Sequence, residues 1–312
     1  MRMGDEAMQE LALRLEGCDI AHQRHFLRFF DNALRSVPLA PATREAIGRA
    51  AADILRSAPK QVRSDLIETC LLVQPQLSPE LRRRIAETLL RDFRDYLAMP
   101  YRDCLINTLA ALGQPAIDQL LLALQEQCHT AEAGVIAAAV GRLGAALAAS
   151  GGVPQAEDIL RELQKMLYRQ PACRDDILLA MGRICGEPGA GPAAARVIFR
   201  TVFQQVRGAP ADGPAIEALG LICSGGGLAE EDIRRVVELA LRHIEADPPA
   251  IGEKIKFIDG EEVFCFDDAT EIYSCLLPAC LACLEHILRS GRTPATLRAE
   301  VFDRLLRRWE RT

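Results

Sequence analysis

Aromatic side chains are scarce in this 312-residue chain: they form 5% of it, with one Trp, four Tyr and ten Phe. The core must therefore be assembled from small and aliphatic residues, a composition that favours close helix-on-helix packing. Long hydrophobic runs are also missing. The longest, Ile272 to Leu284, is shorter than the ~18 apolar residues of a membrane span, so a buried helix is expected there. The opening Met1-Arg2-Met3-Gly4-Asp5-Glu6 has no apolar signal-peptide core, and a cytoplasmic location is expected. Basic charge is in deficit: the net charge is −6, split as +1 over residues 1–105 and −7 over the rest. Phosphate neutralisation drives general nucleic-acid binding, so this balance disfavours that class. There is no P-loop, no G-x-G-x-x-G after a strand and no H-E-x-x-H, which removes the commonest phosphate, dinucleotide and zinc-protease signatures.

What is abundant is cysteine inside apolar segments. Eleven cysteines, an odd number, read as reduced thiols rather than a disulfide framework. Cys275, Cys280 and Cys283 share the C-x4-C-x2-C spacing of plant-type ferredoxins, with His286 close by. On a helix they spread over roughly 140° at 100° per residue, with no loop to wrap a cluster, so core packing is expected. Cys18, His22 and His25 are spaced i, i+4, i+7, but a zinc site needs four ligands, and Asp19 reads as an N-cap that leaves Cys18 outside the helix. Arg82, Arg83, Arg84, Arg91 and Arg94 alternate with acidic residues at helical spacing, which marks a solvated face. No Ser or Cys is placed beside a His for nucleophilic catalysis. No catalytic residue, metal or cofactor is expected.

The organising pattern runs from about Leu105 to Gly225. A helix of small and aliphatic residues is followed by glycine and a turn. It reads Ala111-Leu112-Gly113, then Ala139-Val140-Gly141, Ala180-Met181-Gly182 and Ala218-Leu219-Gly220. The last three copies begin 41 and 38 residues apart. Breaks between helices hold Gly or Pro, the residues that end one helix and start the next. The helix–turn–helix units, their period near 40 and the recurrent Ala-Leu-Gly resemble HEAT-like repeats, best over Asp103 to Asp247. That resemblance implies an all-α fold: an α-α superhelix, or HEAT-like solenoid, of about seven helix pairs. It implies one solenoid domain over 1–312, with divergent pairs at 1–100, repeats at 101–247 and capping helices at 269–312.

Residues 248–268 break the pattern. Lys254-Ile255-Lys256-Phe257-Ile258 and Glu261-Glu262-Val263-Phe264-Cys265-Phe266 flank Asp259-Gly260, a strong signal for a small inserted β-hairpin. A two-residue turn puts Ile255, Phe257, Phe264 and Phe266 on one face and pairs Phe257 with Glu262, an imperfect match that leaves a three-residue loop as the alternative. Insertions in solenoids often map to a binding face. The expected partner-binding residues are therefore Lys254, Lys256, Phe257, Asp259, Glu261, Phe264 and Phe266. Asp267 and Asp268 read as turn or N-cap residues. A non-catalytic scaffold or adaptor that binds another protein or peptide is the expected function, with self-association through the ribbon as a variant. HEAT-like stacks also resemble bilin lyases and one class of alkylated-base DNA glycosylases. The glycosylase expectation is opposed by the acidic balance and the few aromatics, and no residue singles out the lyase.

Overall fold

The computed structural model describes residues 4–55, 60–73, 77–91, 102–130, 132–169, 171–208, 212–246, 253–258, 261–266 and 268–310. Among them are fifteen α-helices. The chain divides into two compact units, Met1–Leu143 and Gly144–Thr312.

In the first unit the helices are α1 (Asp5–Arg14), α2 (Ile20–Ser36), α3 (Pro41–Leu55), α4 (Lys60–Val73), α5 (Pro79–Arg91), α6 (Arg102–Ala111) and α7 (Gln114–Gln127). α8 (Ala133–Ala149) carries the chain across the division. Odd helices stack on odd, α1 on α3 on α5 on α7, and α2 packs on α4 and α4 on α6. Between these two layers lie Leu27, Phe30, Ile47, Leu66, Ile67 and Leu89, all fully buried. Local chemistry sets the helix starts. The Asp19 carboxylate accepts the His22 backbone N–H at 2.9 Å and caps α2. Ser78, ahead of Pro79, donates its N–H and hydroxyl to Glu45 at 2.9 and 3.0 Å, which ties the start of α5 to α3. Arg83 and Arg84 pair with Glu87 and Asp53, so the arginine cluster is a solvated, charge-paired face; Arg94 lies outside the described residues.

The second unit contains α9 (Val153–Arg169), α10 (Arg174–Cys185), α11 (Pro192–Gly208), α12 (Gly213–Ser224), α13 (Glu230–Glu245), α14 (Asp268–Arg289) and α15 (Ala295–Trp309). α10, α12 and α14 pack on one another in series; α9 packs on α11 and α13 on α15. The recurrent glycine explains how closely the first series packs. Gly182 and Gly220 do not follow their helices, as the sequence pattern implies, but sit inside α10 and α12. A Cβ on Gly182 would lie 3.0 Å from the Ala218 Cα, and one on Gly220 would lie 2.5 Å from the Cys283 Cα. Removing the side chain lets one backbone lie against the next, which no larger residue permits. Gly113 differs: with φ +72° it serves a left-handed turn before α7.

Packing of this kind, helix on neighbouring helix in alternating layers, has the form of a helical repeat. The expected fold class needs one correction. The fold is all-α, and no β-hairpin is built into it as an element of the packed body. Glu253–Ile258 and Glu261–Phe266 are extended, but they bond only to each other, as an isolated two-stranded ladder. Two strands alone bury too little to form a stable layer, so the fold is carried by helices.

Candidate partner-binding surface

α15 closes the second unit. Thr293 is buried ahead of it and donates its hydroxyl to the Ile287 carbonyl at 2.6 Å, fixing the turn from α14. Leu297 and Val301 are fully buried, and one turn on Arg304 binds two glutamates of α13. Its Nε and Nη2 meet the Glu245 carboxylate at 2.6 and 2.5 Å, and its Nη1 meets Glu238 at 2.6 Å. Bidentate guanidinium–carboxylate contact is among the stronger ionic geometries. It raises the Arg304 pKa and holds the Glu238 carboxyl below its ordinary value. One face of α15 is thus spent on docking to α13.

The opposite face is apolar too. Phe302, Leu306 and Trp309 are 59%, 61% and 80% exposed, and Trp309 is the single tryptophan of the chain. With the exposed Ala295 and Ala299 they recur at intervals of four, three, four and three. At 100° per residue the five positions fall within about 80° of arc, on the side away from Leu297, Val301 and Arg304. A helix that is apolar on two opposed sides is a helix built to be covered on both. Large apolar side chains gathered in one patch, rather than scattered singly, mark an interaction surface.

Two concave regions offer less. A groove of about 330 Å³ between α1 and α3 is lined by small and apolar residues such as Leu13, Ala46 and Ala50 and by Glu45, Arg49 and Asp53. Glu45 and Asp53 are already engaged by Ser78 and Arg84. A wider groove of about 650 Å³ beside α13 runs among Arg234, Arg235, Arg242, Glu231, Glu238 and Glu300. These pair with one another, so no single sign of charge dominates.

The residues expected from sequence to bind a partner are placed as follows. Lys254, Lys256 and Phe257 lie on the first strand, Glu261, Phe264 and Phe266 on the second, and Asp259 lies outside the described residues, as do Gly260 and Asp267. The ladder sets Phe257 opposite Glu262 and Ile255 opposite Phe264. Cys280 and Cys283 are fully buried, and burial pushes the Cys280 thiol up to about 11 and the Cys283 thiol well above its ordinary value. Cys70 and Cys185 are pushed up to about 12 by the same cause. Protonated thiols of this kind are poor nucleophiles and poor metal ligands. His22 is exposed and its Nδ1 lies 2.8 Å from Asp19. Among the described residues no group of three His, Cys, Asp or Glu side chains is placed to hold a metal ion. No helix among them is long and apolar enough to cross a membrane.

No protein-family model and no curated protein matches this sequence.

Proposed function

We propose that the protein is a non-catalytic helical scaffold that binds another protein through the outward face of α15. The observation that carries this reading is the line of Phe302, Leu306 and Trp309, three large apolar side chains more than half exposed on a helix whose other face is fully engaged. Aromatic anchors of this size supply most of the energy of protein interfaces. The glycine-mediated stacking of α10, α12 and α14 supports a HEAT-like origin for the second unit. Thiols packed as small hydrophobes accord with a reducing, cytoplasmic setting.

The test is affinity purification from cells that make the protein, with the Leu306→Asp chain alongside. Leu306 is 61% exposed, so the substitution leaves the core untouched and circular dichroism should be unchanged. The reading expects a protein recovered with the wild-type chain and lost, by tenfold or more, with the variant. Equal recovery from both would remove α15 as the binding surface.

A further inference from the structure

We propose, on the reading that the outward face of α15 binds protein, that its occupant is α15 of a second copy, packed antiparallel across a twofold axis. The spacing is the first ground. Ala295, Ala299, Phe302, Leu306 and Trp309 alternate by four and three, the seam of a two-helix coiled coil.

The taper of the seam is the second ground, and it fixes the direction. The two residues at the helix start are alanines, and those that follow are Phe, Leu and Trp. Antiparallel packing sets Ala295 opposite Leu306 of the second copy and Ala299 opposite its Phe302. Each of these two layers then pairs one small with one large side chain, the spacing between helices stays even across them, and Trp309 lies past the start of the second copy's helix, against the turn before it. A parallel pair would stack Ala on Ala at one end, leaving a void, and Phe on Phe and Trp on Trp beyond, forcing the helices apart. Voids and overpacking both cost stability.

The third ground is charge. The seam is bordered by Arg298 on one side and by Asp303 and Glu310 on the other, at 100° per residue, so charges of both signs flank it. Such a surface does not repel its own copy. It lacks the basic excess that holds an amphipathic helix on an anionic membrane. A twofold pairing is also self-limiting, because the same patch is used up on both chains. At ~150–250 Å² for each large apolar side chain, the pair would cover roughly 1,000 Å², the lower end for a specific interface. The association is therefore reversible and concentration-dependent.

The test uses the full chain in sedimentation-velocity runs over a hundredfold range of concentration. The wild type should move from the 34.2 kDa monomer to a dimer, and the emission of Trp309, the single tryptophan, should shift to the blue over the same range. Leu306→Asp should stay monomeric throughout with unchanged circular dichroism. A spin label on Glu310→Cys, in a chain whose half-buried thiols Cys18 and Cys104 are replaced, reports the direction. Antiparallel helices put the two labels roughly 30 Å apart along the axis, at 1.5 Å per residue; parallel helices put them side by side. A wild type that remains monomeric, a dimer that survives Leu306→Asp, or adjacent labels would each overturn the proposal. A monomeric wild type that still recruits a foreign protein through Leu306 would overturn the dimer alone. A monomer that recruits nothing would overturn the surface reading as well.

Discussion

Burial, more than charge pairing, sets the behaviour of Asp31 and of the packed thiols. Asp31 on α2 accepts the Thr69 hydroxyl at 2.7 Å, yet its pKa is raised to about 6. Desolvation is the main cause; Glu68 and Asp65 add to it, while Thr69 and Arg35 oppose it. The folded chain therefore binds this proton more tightly than the unfolded chain. The ionised form costs stability at neutral pH, and the cost fades as pH falls through about 6 towards 4. Asp31→Asn should raise stability to urea by about 1 kcal/mol at pH 7.5, with the gain vanishing near pH 4. A gain that grows with acidity would contradict this sign. The thiols follow the same logic. Iodoacetamide at pH 8 should leave Cys70, Cys185, Cys223, Cys280 and Cys283 unlabelled in the native protein and label them only in denaturant, because all five are buried with raised pKa values. Rapid native labelling of Cys280 or Cys283 would show that α14 opens.

At the scale of elements, glycine inside a helix is the device that lets α10, α12 and α14 stack. Alanine in place of Gly220 gains ~1 kcal/mol of helix propensity. It also drives a methyl group to 2.5 Å from the Cys283 Cα and 2.7 Å from its carbonyl oxygen. Overpacking against backbone costs 1–3 kcal/mol or more, so Gly220→Ala should lower Tm by several degrees, whereas Gly17→Ala, with open space around it, should change little. Helix positions and caps were readable from sequence because they are local: Asp19 and Ser78-Pro79 each act within one or two turns. The role of the glycines was not readable, since a C-cap and a close approach leave the same letter in the sequence. The α15 stripe was readable in principle as intervals of four and three. It was hidden because the sequence places this helix among the capping helices at 269–312, and only its docking to α13 shows which apolar face points outward. The ribbon drew attention by its aromatic density, yet its two strands bond only to each other.

For the whole molecule, each unit is a set of helices layered on their neighbours, and each buries its own core. The second unit ends in a helix with one face docked and the other exposed. In the cell, protein is expected to cover that exposed face. Photo-crosslinking tests this most directly: a photoreactive residue is placed at Leu306, a control at the exposed Arg235 on α13, and both chains are irradiated in cells that make the protein. An adduct is expected at 306 that is absent at 235, with a mass of two chains if the occupant is a second copy. Equal and negligible adducts at both positions would contradict it, and the outward face of α15 would then be ordinary solvent-exposed surface.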